Sequence, residues 1–142
     1  MNKSGAIIII EDDEDDQLLL QDVFKELNYP NEIIFFDNGL TALEFLTKGH
    51  KNPFLILSDI NLPKLSGLKL RQKLKVDADI NLKCIPYLYF TTAADHRTVI
   101  DAYSTSVQGF FTKPSSYDEI REQMKLIIDY WMHCSAPNNF LP

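Results

Sequence analysis

Short apolar runs alternate along this chain with longer stretches in which apolar residues recur every three or four positions. The runs are AIIII (6–10), EIIFF (32–36), FLILS (54–58), IPYLYF (85–90) and VQGFFT (107–112). They are rich in β-branched and aromatic residues, and several are apolar throughout rather than alternating. That is the pattern of parallel strands buried on both faces. Between and after them lie five helical stripes. The first is Leu18, Leu19, Val23, Phe24 and Leu27, and the second Leu40, Leu43 and Leu46. Leu68, Leu70 and Leu74 make a weaker third stripe, Val99, Ile100 and Tyr103 a fourth, and Ile120, Met124, Ile127, Ile128 and Trp131 the last.

Five strand–helix alternations predict a doubly wound α/β domain, because parallel strands need crossover connections and those are right-handed. No repeat, low-complexity tract or Pro/Gly/Ser linker interrupts the series. The last helix should end near His133, giving a domain over 1–133 and a tail over 134–142. With 142 residues, one full-sized core is expected. Output from such a chain would have to come from the domain's own surface.

Composition narrows the partners. The formal net charge of −6 argues against a non-specific grip on nucleic acid or on an anionic membrane. The two cysteines, Cys84 and Cys134, have no metal-type spacing and read as free thiols in a reducing cytoplasm. No segment has membrane-spanning length, and the run 6–10 is too short for a signal-peptide core. A cytoplasmic location is therefore expected.

Chemistry is suggested by what stands at the carboxyl ends of the strands, where open α/β sheets bind ligands. Strand 1 runs into Glu11, Asp12 and Asp13, strand 3 into Asp59, strand 4 into Thr91 and Thr92, and strand 5 into Lys113. Strand 2, ending near Asp37, would lie at the edge. Clustered carboxylates repel unless a cation compensates, and an oxygen-only donor set favours Mg²⁺ or Mn²⁺ over zinc. A carboxylate left free could attack phosphorus to give an acyl phosphate, with the lysine and the hydroxyl stabilising the charged oxygens. Each residue also has a plainer reading. Asp15 and Asp16 read as helix N-terminal residues favourable to the helix dipole, and Asp95 as a helix cap. Asp59 could be a turn residue before Pro63, and Lys113 a solvated loop lysine.

The blocks IIIIEDDEDD, SDINLPKLSG, YFTTAAD and GFFTKP resemble, in order, the four signature blocks of response regulator receiver domains of two-component signalling, from about Ala6 to Trp131. The resemblance implies a flavodoxin-like, CheY-like (βα)5 fold with strand order 2-1-3-4-5. It implies Asp59 as phosphoacceptor, and Glu11, Asp12, Asp59 and the Asn61 carbonyl as the site of Mg²⁺ or Mn²⁺. Thr91 matches the switch hydroxyl, Phe110 the switch aromatic, and Lys113 the phosphate-binding lysine. Pro63 and Gly67 match the loop-shaping turn, and Lys113–Pro114 the family's cis peptide. Asn61 and Ala93 should flank the water that hydrolyses the acyl phosphate. Glu11 stands where many relatives have Asp, Phe110 where many have Tyr, and Ser66 where an acid is frequent. The loops 48–52 and 76–83 look longer than in the chemotaxis regulator, and the chain is similar to a stand-alone subgroup that includes partners of phytochrome-type kinases.

The implied function is that of a single-domain phosphoacceptor rather than an enzyme acting on other substrates, with intrinsic self-phosphorylation and autodephosphorylation. Its partners would be a sensor histidine kinase or phosphotransfer protein and an output protein, docked on the fourth helix, fifth strand and fifth helix. Two alternatives stand beside this. One is an aspartyl phosphatase of the haloacid dehalogenase type, for which Asp13-x-Asp15 supplies the letters. The other is a degenerate receiver that only binds a partner. Tyr130, Trp131, Met132 and Phe140 either close the core from below or form a homodimer contact.

Overall fold

The computed structural model describes residues 3–48, 53–92 and 94–135, apart from the side chains of residues 80 and 81. The elements run β1 (Ile7–Ile10), α1 (Glu14–Leu27), β2 (Ile33–Phe36), α2 (Gly39–Thr47), β3 (Leu55–Ser58), α3 (Gly67–Lys75), α4 (Ile80–Cys84), β4 (Tyr87–Thr91), α5 (His96–Ser104), β5 (Gly109–Thr112) and α6 (Tyr117–His133). The strands form one parallel sheet in the order β2-β1-β3-β4-β5, as expected. The fourth and fifth predicted helices are α5 and α6. The extra helix, α4, lies in the stretch read from sequence as a loop. It is one turn, opened where Asp77 Oδ1 accepts from the Asp79 amide, and Leu82 plugs it into the core.

The continuous apolar runs have a direct explanation in the layers. Ile8, Ile10, Ile56, Tyr87 and Tyr89 point to one face of the sheet, where Ala42, Leu46, Leu70, Leu74 and Ala102 cover them. Their neighbours Ile7, Ile9, Leu55, Leu57, Leu88 and Phe90 point to the other, under Leu20, Val23 and Phe24 of α1 and Ile120, Met124, Ile127 and Ile128 of α6. The central strands β1, β3 and β4 are buried throughout, whereas the edge strands β2 and β5 are half-buried or more exposed.

Four of the helical stripes need correction. In α2 the buried residues are Gly39, Ala42 and Leu46, while Leu40 is exposed and Leu43 half-buried. In α1 the buried residues are Leu20, Val23 and Phe24, while Leu18 is exposed. In α3 they are Gly67, Leu70, Arg71 and Leu74, an i, i+3, i+4, i+7 face completed by an arginine, with Leu68 only half-buried. In α5 the small Ala102 is buried, and Ile100 and Tyr103 face outward because α5 offers the sheet little more than a methyl group. The α6 stripe is as expected, with Trp131 and Met132 packed partly against the core. Tyr130 is exposed and stands edge-on to Trp131 at 5.3 Å. Phe140 and the rest of the tail beyond Ser135 lie outside the described residues.

The helix starts are fixed by side-chain caps. Asp13, Asn38, Ser66, Asp95 and Ser116 each accept from the amide three residues on. Asp95 thus has its expected role. The cap of α1 is Asp13, which leaves the side chains of Asp15 and Asp16 in the first turn with no capping task.

Candidate functional site

The sheet register delivers the polar residues to one end. The Asp59 amide donates to Ile10 O at 3.0 Å, holding the ends of β1 and β3 level. The Lys113 amide donates to Thr91 O at 2.9 Å, so the β4–β5 pairing continues one residue past β5. Behind Asp59, Gly67 begins α3 and donates to Ile60 O. A Cβ at Gly67 would lie 2.2 Å from the Asp59 carbonyl oxygen, so only glycine lets α3 start this close to the acceptor strand.

Within that frame Asp59, 9% exposed, is held at both oxygens. Its Oδ1 accepts from the Ile60 amide at 2.7 Å and from the Thr91 hydroxyl at 2.6 Å. Its Oδ2 accepts from Lys113 Nζ at 2.9 Å. The same ammonium meets Glu11 Oε1 at 2.5 Å and Asp16 Oδ2 at 2.9 Å. Glu11 Oε2 accepts from the Asp13 amide, and the Glu11 carbonyl is closed off by the side-chain amide of Gln17. Carboxylate oxygens of Glu11, Asp12 and Asp59 all lie within 4.8 Å of one another. Glu11 is buried, and Asp12 faces solvent.

The electrostatics follow. Burial pushes the Glu11 carboxyl up to about 7, and the Lys113 ammonium beside it offsets only part of that. Burial also works against the charge on Lys113, but hydrogen bonds to Glu11, Asp59 and Asp16 outweigh it and hold the ammonium above its ordinary range. One cation thus serves several carboxylates, and the cluster of Glu11, Asp12 and Asp59 remains under-compensated. An oxygen-only set that still lacks positive charge fits a hard divalent cation such as Mg²⁺ or Mn²⁺.

Every strand-end residue singled out from the sequence and lying within the described part reaches this end of the sheet. Glu11, Asp12, Asp59, Thr91 and Lys113 are gathered together. Asn61 is exposed in the loop two residues beyond Asp59. Phe110 is half-buried on β5, its ring 6.1 Å from that of Tyr89, on the sheet face away from α1 and α6. Ala93 lies outside the described residues. One expectation is corrected: Lys113–Pro114 is trans, there being no cis peptide among the described residues. The amide anchored to Thr91 O already aims Lys113 at the carboxylates without it. Asp16 and Gln17 went unremarked as site residues. The only signal was their position four and five residues after Asp12, at the start of a helix that begins at the site.

Comparison with known proteins agrees with this geometry. Residues 7–125 match the model of the response regulator receiver domain, and the chain belongs to that family. It is 31% identical over 136 residues to response regulator Rcp1 of Synechocystis sp., covering 92% of this chain and 91% of that one. It is 28% identical over 129 residues to chemotaxis protein CheY-3 of Vibrio cholerae, covering 91% and 95%. Among solved structures, the phosphorylated cyanobacterial phytochrome response regulator RcpA superposes with a TM-score of 0.84 at 26% identity, over 93% of this chain and 97% of that one. The Mn²⁺-bound form of Rcp1 gives 0.81 at 30% identity, over 93% and 98%. The chain is thus a response regulator receiver domain with the acidic pocket that accompanies phosphorylation and divalent-cation binding in such domains.

Proposed function

We propose that this chain is a single-domain response regulator that accepts a phosphoryl group from the phosphohistidine of a sensor histidine kinase, or of a phosphotransfer protein, onto Asp59. The observation that carries the reading is the Asp59 carboxylate itself, fixed between Thr91 Oγ1, the Ile60 amide and Lys113 Nζ at the edge of an acidic cluster. An Asp59 oxygen forms a bond to phosphorus, and the phosphorus–nitrogen bond breaks with its electron pair returning to the imidazole. Glu11, Asp12, Asp59 and the Asn61 carbonyl would hold Mg²⁺ or Mn²⁺, which when bound neutralises charge on the phosphoryl oxygens. Lys113 and Thr91 are placed to donate to two of those oxygens. Attack of water on the acyl phosphate restores the carboxylate, so the protein resets itself and turns over no other substrate.

Recruiting Thr91 to the phosphoryl group would draw its hydroxyl inward and let Phe110 turn, altering the surface of α5, β5 and α6. Ile100 and Tyr103 on α5 stand exposed there and offer an apolar docking face for an output protein. Neither nucleic acid nor a membrane is among the partners proposed. No helix among the described residues is long and apolar enough to cross a membrane, in keeping with a cytoplasmic site of action. A phosphatase centred on Asp13-x-Asp15 is disfavoured, because Asp13 is the cap and Asp15 the first turn of α1, past the strand end where a nucleophile would be needed.

Intact mass after incubation with acetyl phosphate and Mg²⁺ tests the reading. Wild type should gain one phosphoryl group and Asp59→Asn none. An adduct persisting in Asp59→Asn would move the acceptor to Asp12 or Asp13, and a wild type that gains nothing would leave a receiver that only binds.

A further inference from the structure

Lys113 has three N–H donors and three carboxylate partners, contributed by the end of β1, the first turn of α1 and the end of β3. Two of those partners have other work. Glu11 also accepts from the Asp13 amide, and Asp59 from the Ile60 amide and Thr91. Asp16 differs from both. Its side chain is 38% exposed, against 3% for Glu11 and 11% for Asp59, so it lies at the rim of the site. The helix it belongs to is already capped by Asp13, which takes the Asp16 amide, so the Asp16 carboxylate is not needed to start α1.

We propose that Asp16 is a positioning residue that competes with the incoming phosphoryl group for Lys113 and thereby slows charging by anionic phosphodonors. This rests on the reading of Asp59 as phosphoacceptor. A phosphoryl oxygen needs an ammonium donor, and in the resting site all three are taken. When Asp59 is consumed as nucleophile its own bond to Lys113 is freed, but Asp16 still shares the ammonium's charge and sets a negative charge beside the incoming anion. At contact distance and the water-like dielectric felt by a carboxylate at the rim, one unit charge changes such a rate by about threefold to tenfold. The same charge assists a divalent cation, so its removal should act on metal and phosphodonor in opposite directions.

The probe is acetyl phosphate. An Asp59 oxygen bonds to phosphorus, the bridging phosphorus–oxygen bond breaks, and acetate leaves with the electron pair. Charging of the full chain is followed by intact mass at saturating Mg²⁺, and Mg²⁺ binding separately by calorimetry. Asp16→Asn should charge about three to ten times faster than wild type and bind Mg²⁺ at least about twofold more weakly, the gain in rate shrinking as salt is added. Asp16→Glu should restore wild-type behaviour. Asp22→Asn, which removes one charge from an exposed position of the same helix, should change neither readout. If Asp16→Asn charges at the wild-type rate or slower, Asp16 steadies Lys113 or does nothing, and the inference is overturned. Equal acceleration in Asp22→Asn would reduce the effect to net charge and overturn it as well. A wild type that gains no phosphoryl group refutes the phosphoacceptor reading and this inference with it, an outcome visible before any variant is compared.

Discussion

Two cations largely withdrawn from water, Lys113 at the carboxyl end of the sheet and Arg71 beneath one of its faces, are treated in opposite ways. Lys113 is surrounded by Glu11, Asp16 and Asp59. Arg71, on α3 and 3% exposed, pairs with no carboxylate among the described residues. Its guanidinium donates to Thr105 O at 3.3 Å and Ser106 O at 2.8 Å and lies 5.6 Å from the centre of the Tyr87 ring. One nitrogen, Nη1, has no partner among the described residues. Burial accordingly holds Arg71 below its ordinary range, whereas Lys113 is held above its own. The carbonyls Arg71 meets are at the carboxyl end of α5, the negative end of the helix dipole. Arg71 is thus a neutral-partner tie between α3 and the α5–β5 turn, reinforced by Lys75 Nζ on the Ser106 hydroxyl. A structural cation can be satisfied by carbonyls and an aromatic face. A site that must take up a metal and then a phosphoryl group keeps an excess of negative charge.

If that contrast is right, the largest loss of stability follows from removing Lys113. Lys113→Met leaves Glu11, Asp16 and Asp59 without their shared cation, and breaking a buried pair from one side costs about 3 kcal/mol or more. Urea denaturation without divalent cation should show it, and saturating Mg²⁺ should recover part. A Lys113→Met protein as stable as wild type would mean that the carboxylates do not depend on the ammonium.

Next comes the pH response of the resting site. Burial pushes the Glu11 carboxyl in the folded protein up to about 7, from an ordinary 4.5. The native state therefore holds a proton that the unfolded chain has released, and the associated stability is complete below about 4.5 and lost as pH rises through 7. Without metal, stability should fall by on the order of 2 kcal/mol between pH 5 and pH 8. With saturating Mg²⁺ the ionised carboxylate is the favoured form, and the decline should vanish or reverse. A flat profile in both conditions would show that Glu11 is not held protonated by its burial.

Replacing the other cation should matter less. Arg71→Leu removes a desolvated charge along with its two bonds, terms of opposite sign, and should cost about 1–2 kcal/mol with no dependence on Mg²⁺. A cost exceeding that of Lys113→Met would invert the comparison and make the α3–α5 tie the more critical of the two.

The same contrast explains what was legible in the sequence. The sheet could be read because buried parallel strands write themselves as apolar runs, and the acceptor site because its residues sit at strand ends, where α/β sheets place ligands. Arg71 could not. Counted as polar, it broke the α3 stripe into the weak Leu68, Leu70 and Leu74, although position 71 is the i+4 partner that completes the buried face. Asp16 was hidden for the reason that makes first-turn acids unremarkable: three neighbours share its sign, and only the angle at which α1 leaves β1 selects the one that meets Lys113. Outward-facing Ile100 and Tyr103 misled in the other direction, since an apolar helical stripe does not say whether it meets the sheet or a partner.

The smallest expected effect bears on whether the two regions communicate. Tyr89 stands on β4 two residues before Thr91, with its ring 6.1 Å from Phe110. Its hydroxyl lies 3.4 Å from Gly67 O and 3.4 Å from Thr105 Oγ1. Gly67 abuts the Asp59 backbone, and Thr105 O receives Arg71. Tyr89 is therefore placed to touch both the acceptor's support and the Arg71 tie, as is Tyr87, whose hydroxyl donates to Gly67 O at 2.9 Å and whose ring faces Arg71. Contacts this long are weak, so Tyr89→Phe alone should cost less than about 1 kcal/mol. The informative quantity is the double-mutant cycle with Arg71→Leu, in which residues sharing Thr105 should show a coupling of about 0.5 kcal/mol by chemical denaturation. Additive single effects would mean that the Tyr89 hydroxyl does not join the two regions. The α5–β5 turn would then learn of events at Asp59 through Thr91 and Phe110 or through Tyr87, which touches both Gly67 O and Arg71.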